Sequence, residues 1–249
     1  MSHQIASTQN PRLKAVRRLH NKRERARTGR FLAEGEDLLA AAERAQRPAL
    51  EGYRLAGSSL GGAGFHDVER GALAAVSTLG SSTRVIGVYE QRWEAPLGPL
   101  CVYLHGVSDP GNVGTVLRSA QAFGASCVVF GPGCADPHGP KAVRASMGAI
   151  FAVKIARSGE ISELPGERVA LIAGHGEPLQ GLIDVGCAPV TLLVGAERRG
   201  LPEDVVQACE RVACIPIVSE SLNAAMAATV ALYEMTRRGR RDLDTVPAS

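Results

Sequence analysis

The stretch that decides the fold is VTLLVGAERRGLPEDVVQACERVACIPIVSESLNAAMAATVALY, residues 190–233. It contains two apolar runs, 190–194 and 213–217, followed by an Ala-rich helical segment. Continuous apolar runs of this length are typical of strands buried on both faces of a parallel sheet. Loops at the carboxyl ends of such strands bind small ligands, so the loops after both runs are expected to line one pocket. The alternative is that Gly195 and Gly200 are ordinary turn residues and Glu197 is a solvated loop charge.

Apolar strands alternate with helical segments over the last 150 residues of the chain. This alternation predicts an α/β fold, a parallel sheet covered by helices. A Rossmann-type enzyme is disfavoured, because GPGCAD (131–136) does not match the glycine fingerprint of dinucleotide sites. The predicted strands are 100–104, 127–130, 151–155, 169–173, 190–194 and 213–217, and the predicted helices are 113–123, 141–148, 202–209 and 222–238.

A smaller α/β unit precedes this region. Residues 36–47 have a helical pattern, and short strands are expected at 53–56, 73–77 and 85–89. The sequence WEAPLGP (93–99) breaks regular structure and is interpreted as a linker. The predicted division is therefore an N-terminal region at 1–92, a linker at 93–99 and a second domain at 100–249.

Charge is concentrated at the N-terminus. Residues 1–30 hold nine Lys or Arg and one acidic residue, which leaves 19 basic and 24 acidic residues for the rest. Such a basic segment is the electrostatic footprint of a polyanion, with nucleic acid as the natural partner. The alternative is a solvated basic helix or a disordered arm. The predicted RNA-binding residues are Arg12, Lys14, Arg17, Arg18, Lys22 and Arg23.

Composition excludes several classes of protein. No apolar run approaches the roughly 18 residues that span a bilayer, and the N-terminus has no apolar signal core, so no membrane association and a cytoplasmic location are expected. Six cysteines lack CxxC spacing and nearby histidines, which predicts small buried residues and neither a metal site nor a disulfide framework. They are residues 101, 127, 134, 187, 209 and 214.

A second polar motif follows the first predicted strand of the sheet, at DPGNVGTVLR (109–118). Asp-Pro-Gly-Asn is typical of a tight turn, and Asn112 is expected to cap the next helix. Arg118 then lies on the second turn of a helix that rises from the carboxyl end of a strand, where a phosphate would bind. The alternative is a solvated surface arginine.

Three motifs carry a family resemblance: DPGNVGTVLRSAQAFG (109–124), LLVGAERRGLP (192–202) and IPIVSESLNAAMAA (215–228). In order and spacing they resemble the motifs of the SpoU (TrmH-like) branch of the SPOUT RNA methyltransferases. The segments STQNPRLKAVRRL and GRFLAEGEDLLAAA, near the N-terminus, resemble a ribosomal-protein-like substrate-binding region that many members carry. The resemblance implies a parallel sheet with a C-terminal trefoil knot, preceded by a small RNA-binding domain.

The implied activity is transfer of a methyl group from S-adenosylmethionine to a ribose 2′-hydroxyl of ribosomal or transfer RNA, without a metal, by a homodimer. In such a protein the cofactor would be held by Val194, Gly195, Ile215 and Leu222, mainly through backbone groups. Arg118 would contact the RNA phosphate, with Asn112 and Glu197 orienting it, and Ser221 and Asn223 would complete the polar wall. The implied catalytic residues are thus Asn112, Arg118, Glu197, Ser221 and Asn223.

The third motif departs from the family pattern. Only Val218 to Glu220 separate Ile217 from Ser221, fewer residues than a typical member has, and Ala224 and Ala225 replace the usual hydroxyl or β-branched residues. The alternative function is therefore a noncatalytic RNA-binding or ribosome-associated protein with a degraded cofactor pocket. The sequence does not identify the RNA, the nucleotide, or a housekeeping against an antibiotic-resistance role.

Overall fold

A computed structural model of the chain describes residues 4–62, 64–179 and 188–241. Its contacts divide the chain into two compact units. The first contains the residues up to Arg92 together with Asp136–Ala152, and the second contains Trp93–Ala135 and the residues from Val153 onward. The segment 136–152, predicted from the sequence as part of the 100–249 domain, therefore packs within the first unit.

The first 92 residues form four strands and four helices within the described ranges. Helices are α1 (Pro11–Arg18), α2 (Lys22–Thr28), α3 (Glu36–Arg44) and α4 (Arg70–Ala74), with a 3-10 turn at Gly80–Ser82. Strands are β1 (Arg30–Glu34), β2 (Glu51–Leu55), β3 (Phe65–Val68) and β4 (Val85–Glu90). They form a sheet of order β1-β4-β2-β3, in which only the β2–β3 pair is parallel.

The rest of the described chain continues the alternation of strands and helices. Strands are β5 (Leu100–Leu104), β6 (Cys127–Phe130), β7 (Lys154–Arg157), β8 (Glu167–Leu171), β9 (Glu177–Pro178), β10 (Val190–Val194) and β11 (Arg211–Cys214). Helices are α5 (Pro110–Phe123), α6 (Pro140–Ala145), α7 (Ala149–Ala152), α8 (Glu203–Gln207) and α9 (Ala224–Arg241), with a 3-10 turn at Ile161–Glu163.

The second unit is built on a parallel sheet of order β7-β6-β5-β10-β8-β11-β9. All its pairs are parallel, as predicted. Strand β10 lies between β5 and β8, and every residue of β5 and β10 is buried. Val194 is in register with Leu104 on one side and Leu171 on the other, so the three strands end at one level. This level is where loops from distant parts of the sequence converge.

Local sequence explains how the two long helices of this unit begin. The side chain of Asp109 accepts a hydrogen bond from the backbone N–H of Asn112 at 2.9 Å, and Pro110 occupies the first turn of α5. Gly124, with φ +74°, ends α5 in the left-handed conformation. The side chain of Asn223 accepts from the N–H groups of Ala225 and Met226 at the start of α9.

Four sequence predictions of local structure need correction. The predicted strand at 73–77 is wrong, because the Ala-rich run forms α4 and buries Ala72 and Leu73. Residues 151 and 152 of the predicted strand 151–155 belong to α7, and the strand begins at Lys154, since short apolar runs have no decisive period. No strand was predicted at the positions of β1, β3 and β9. The strand predicted at 213–217 ends at Cys214, before Pro216, which has no N–H for a sheet.

Helices α6 and α7 explain why the segment 136–152 belongs to the first unit. Helix α6 packs on β1, and α7 packs on α3. Their buried residues are apolar, including Ala142, Val143, Ile150 and Phe151. Phe151 contacts the ring of Tyr89 at a centroid distance of 4.7 Å.

No helix within the described ranges combines the length and the apolar character needed to cross a membrane.

Candidate active site

A cavity of about 440 Å³ lies at the carboxyl ends of β8, β10 and β11. As expected from the sequence, the loops after β10 and β11 both line it. The third wall comes from Leu171 to Ala173 after β8, which the sequence analysis did not single out. The sequence did contain a signal for this wall. Residues 169–173 were predicted as a strand of the same sheet, and the carboxyl end of such a strand is expected to border the same cavity. The cavity lining includes all four residues predicted to hold the cofactor: Val194, Gly195, Ile215 and Leu222.

Small residues keep this cavity open. A Cβ on Gly195 would overlap the backbone of Gly200 and Leu201, so the loop 195–200 folds tightly on itself. The N–H of Gly200 donates to the carbonyl of Ala196 at 2.8 Å, and Gly200 has φ +64°. Ala224 and Ala227 of α9 also face the cavity without filling it. The short connection from Ile217 to Ser221 has therefore not closed the pocket.

Three predicted catalytic residues meet in one hydrogen-bonded chain. The amide nitrogen of Asn112 donates to the carboxylate of Glu197, and the amide nitrogen of Asn223 donates to Oδ1 of Asn112 at 3.1 Å. These residues come from α5, from the loop after β10 and from the residue before α9. All three remain accessible to solvent, and Glu197 also lines the cavity.

The position of Asn112 corrects one sequence prediction. Asp109 caps α5, and Asn112 is the third residue of the helix. Its side chain is thus not used for capping and is available to Glu197 and Asn223. Asn223 uses its Oδ1 to cap α9 and its amide nitrogen to reach Asn112. The hydrogen bond between Asn223 and Asn112 therefore links the N-terminal ends of α5 and α9.

Arg118 lies apart from this chain of hydrogen bonds. It is exposed on α5, and within the described ranges no ion pair of 4.0 Å or less joins it to Glu197 or to another carboxylate. Six residues of helix turn the side-chain direction by about 240° from Asn112. The predicted pairing of Glu197 with Arg118 is therefore absent, and Asn112 is the partner of Glu197.

Ser221 lines the cavity and is exposed. The hydroxyl of Ser219 donates to the carbonyl of Ser221 at 3.4 Å, within the short connection that precedes α9. Ser221 and Asn223 therefore approach the site from the same segment.

The first unit presents a basic cleft of about 580 Å³ between α1 and α2. Arg17, Arg18 and Arg23, three of the six predicted RNA-binding residues, line it together with Arg27. Lys14 and Lys22 are exposed on the same helices, whereas Arg12 forms an ion pair with Glu51 at 2.7 Å. Leu13, Val16 and Leu19 are buried, so the apolar face of the segment docks as predicted.

Not every basic residue of the N-terminal segment faces solvent. Arg25 is buried and forms an ion pair with Asp136 at 2.8 Å, and Arg27 pairs with Glu24 at 2.7 Å. Arg25 also donates to the carbonyls of Leu19 and His20. The segment therefore offers less free positive charge than its sequence suggests.

The cysteines within the described ranges are free thiols. Cys101 and Cys127 are buried as predicted, whereas Cys134, Cys209 and Cys214 are half-buried, and Cys187 lies outside the described residues. No group of three or more His, Cys, Asp or Glu side chains in the described part of the chain is arranged to hold a metal ion.

Comparison with known proteins identifies the family. Residues 99–233 match the SpoU rRNA Methylase family, and residues 10–60 match the MRM3-like substrate binding domain. The chain is 29% identical over 248 residues to the 23S rRNA (guanosine(2553)-2′-O)-methyltransferase RlmP of Bacillus subtilis, covering 93% of this chain and 98% of that protein.

Two solved structures extend the likeness to the fold. The AdoMet-bound rRNA methyltransferase from Sinorhizobium meliloti is 30% identical, with a TM-score of 0.83 and coverage of 95% of this chain and 98% of that one. The SpoU methyltransferase AviRb from Streptomyces viridochromogenes, in complex with AdoMet, is 26% identical, with a TM-score of 0.81 and coverage of 93% and 99%. From the parallel sheet, the cavity at its carboxyl edge and these matches, the chain belongs to the SpoU rRNA methylase family.

Proposed function

We propose that this protein transfers a methyl group from S-adenosylmethionine to a ribose 2′-hydroxyl of ribosomal RNA. The observation that carries the proposal is the meeting of Asn112, Glu197 and Asn223 at the edge of a cavity lined by Val194, Gly195, Ile215 and Leu222. The named relatives that methylate ribosomal RNA at the 2′-oxygen, and the relatives solved with AdoMet, support it.

The cavity fits S-adenosylmethionine in size and chemistry. About 440 Å³ lies within the range of roughly 300–1,000 Å³ that small-molecule sites occupy. Leu171, Ile172 and Leu222 give apolar surface for a purine, and the tight loop at Gly195 exposes backbone groups for hydrogen bonds. When bound, the cofactor supplies an electrophilic methyl group on a sulfonium.

The protein contributes positioning, and the proton lost by the 2′-hydroxyl passes to solvent, which reaches this polar edge of the cavity. Hydrogen bonds from Asn223 to Asn112 and from Asn112 to Glu197 fix the carboxylate of Glu197 beside the cavity, where it orients the attacking hydroxyl. Ser221 completes the polar wall. Arg118 is exposed and unpaired within the described residues, so its guanidinium is available to an RNA phosphate next to the ribose. Because arginine stays protonated, we assign it this electrostatic role and not that of a base.

RNA is held in part by the first unit. Arg17, Arg18 and Arg23 line the basic cleft, with Lys14, Lys22 and Arg12 on the same helices. The match of residues 10–60 to a substrate binding domain supports this role. Guanidinium groups suit phosphate because they donate paired hydrogen bonds.

Three further features complete the proposal: a C-terminal trefoil knot, a homodimer and a cytoplasmic location. The likeness to solved SpoU structures supports the knot. Met226, Val230 and Tyr233 support the dimer, because they lie on one face of α9 and are 61%, 41% and 54% exposed. Sedimentation velocity tests the dimer, and Val230→Lys is expected to shift it towards monomer.

The test combines calorimetric titration with S-adenosylmethionine and methyl transfer to unmodified ribosomal RNA transcripts. Wild type is expected to bind the cofactor and to transfer methyl groups to a ribose. Arg118→Ala is expected to bind the cofactor within about twofold of wild type and to transfer methyl groups about 100-fold more slowly. Full activity of Arg118→Ala would remove its assigned role.

Asn223 needs a variant that preserves its cap. Asn223→Ser keeps an oxygen for the N–H groups of α9 but is too short and lacks the amide that reaches Asn112. We expect unchanged thermal stability with a loss of methyl-transfer rate. Loss of stability in place of rate would make Asn223 a structural cap only.

No observation favours the noncatalytic alternative. The pocket is open despite the short third motif, and the polar chain is complete. If the wild-type protein bound no S-adenosylmethionine either with or without RNA, the noncatalytic RNA-binding alternative would be restored.

A further inference from the structure

A second cavity of about 900 Å³ lies on the other side of the loop that borders the cofactor cavity. Its walls are the loops after β5, β6 and β10, again at the carboxyl edge of the sheet. The two cavities share the segment from Ala196 to Gly200. The remaining lining residues are His105, Gly106, Ser108, Asp109, Pro132, Gly133 and Pro202.

Two arginines give this cavity a positive wall. Arg198 and Arg199 are exposed, and neither forms an ion pair with a carboxylate among the described residues. Both acidic residues that line the cavity are engaged in hydrogen bonds: Asp109 accepts from the N–H of Asn112, and Glu197 accepts from the side chain of Asn112. The guanidinium groups are therefore available for a ligand, and phosphate is a ligand that arginine binds through paired hydrogen bonds.

His105 lines the same cavity from the loop after β5. Its Nδ1 lies 3.3 Å from the hydroxyl of Tyr103, which is fully buried. The hydroxyl of Tyr103 is protonated at neutral pH, and burial raises its pKa further, to about 12. A Cβ on Gly131 would overlap that hydroxyl, so only glycine at position 131 leaves room for the Tyr103 hydroxyl. The ring is thus oriented by a partner that itself cannot move easily.

A phosphate site and a flat polar ring in one open cavity suit a nucleotide. Unstacked RNA bases are recognised by stacking on rings such as histidine and by hydrogen bonds to their edges. The shared loop places this cavity directly beside the proposed methyl donor. A nucleotide bound here would have its ribose at the boundary between the two cavities.

We propose that the second cavity receives the nucleotide whose ribose is methylated, with Arg198 and Arg199 on its flanking phosphate and His105 against its base. This inference rests on the proposed methyl transfer and goes beyond it by assigning the nucleotide site. It implies that the target nucleotide is unpaired, because a base within a duplex cannot enter the cavity.

The test measures kcat and KM for methyl transfer to unmodified large-subunit and small-subunit ribosomal RNA transcripts. Arg198→Ala/Arg199→Ala is expected to raise the KM for RNA at least about tenfold, because each lost charge-assisted contact is strong. His105→Ala is expected to raise it at least about fivefold through lost stacking. Cofactor affinity, measured by calorimetry, should stay within about twofold of wild type in His105→Ala, because His105 lines the second cavity and not the cofactor cavity.

Lys154→Ala is the control, because it removes a positive charge from the edge strand β7, where Lys154 pairs with Glu94. A KM of the double variant equal to that of Lys154→Ala would overturn the inference. If wild type transfers no methyl group, the proposed function fails and crosslinking decides the inference separately. Thiouridine-substituted transcripts are irradiated with the protein and S-adenosylhomocysteine. Crosslinks in the peptides containing 105–109 or 196–202 support the site, and crosslinks confined elsewhere overturn it.

Discussion

At the scale of single residues, Asn112 shows how one side chain changes its role through its neighbours. Its position after Asp-Pro-Gly predicts a helix cap, but Asp109 takes that role and Asn112 lies in the first turn of α5. The freed amide then joins Glu197 to Asn223. The residue types of this site were predictable from the motifs, whereas their partners depended on which residue capped the helix.

Gly195 gives a prediction at the same scale. Gly195→Ala is expected to weaken S-adenosylmethionine binding about tenfold or more, because overpacking against the backbone of Gly200 and Leu201 must displace the loop. Calorimetric titration measures the effect. Gly62→Ala, where an added Cβ meets nothing within 4 Å, is the matched control. Equal affinities of the two variants would contradict a tight loop at 195–200.

At the scale of elements, buried and exposed ion pairs have different consequences. Arg25 in α2 and Asp136 before α6 have side chains only 5% and 9% exposed, so neither charge is well solvated. The pair therefore anchors the segment before α6 within the first unit. Exposed pairs such as Arg12 with Glu51 contribute little, because water screens them.

Removing one member of the buried pair should be costly. Asp136→Ala is expected to lower the free energy of unfolding by about 3–5 kcal/mol, because it leaves the guanidinium of Arg25 buried without its carboxylate. Urea denaturation followed by circular dichroism measures this change. Arg84→Ala, which breaks an exposed pair with Glu36, should cost less than about 1 kcal/mol. Similar costs for both variants would contradict the difference in burial. Asp136→Asn, expected to fall between them, serves if Asp136→Ala does not fold.

A pH dependence follows from the pair of Arg168 in β8 with Glu210 before β11. Hydrogen bonds from the Arg168 guanidinium lower the pKa of Glu210 to about 2, from a usual value of 4.5. The pKa of Glu210 is lower in the folded protein than in the unfolded chain, so ionised Glu210 stabilises the folded protein at pH values above about 4.5. This stabilisation is lost as the pH falls from about 4.5 to about 2. Because the Glu210 side chain is 42% exposed, the contribution is discounted to about 1 kcal/mol or less.

Glu210→Gln should therefore be less stable than wild type at pH 7, with the difference shrinking below about pH 4.5. Urea midpoints compared at several pH values give the measurement. A difference that persists unchanged at pH 3 would mean that the charge of Glu210 is not responsible.

For the whole molecule, the most informative property is its charge distribution, because the positive charge is concentrated in the N-terminal segment of the first unit. The segment 1–30 is +8 by its nine basic and one acidic residues, while the other residues sum to −5. Folding uses part of this charge in ion pairs and leaves Arg17, Arg18 and Arg23 on the basic cleft. If the cleft contacts RNA phosphates as proposed, the affinity for RNA should fall steeply as the salt concentration rises.

The triple variant Arg17→Ala/Arg18→Ala/Arg23→Ala is expected to weaken RNA binding and to reduce the slope of log K against log salt by about 2, since each phosphate contact contributes about 0.7 on a single strand. Filter binding across a salt series measures the slope. Arg12→Ala is expected to change the slope less, because Glu51 already neutralises that side chain. An unchanged slope in the triple variant would remove the cleft from the RNA interface.

The parallel α/β sheet, most positions of its strands, the loops after β10 and β11 that line the cofactor cavity, and the family were all predictable from the sequence. These follow from apolar periodicity and local motifs, which act over a few residues. Only the tertiary structure decided that Asn112 pairs with Glu197 and Asn223, that Arg118 does not, and that Asp136 joins Arg25. It also brought Leu171 to Ala173 and the second cavity to the same sheet edge. Such contacts join residues tens of positions apart, and their partners are set by strand order and helix caps, which local sequence patterns do not specify.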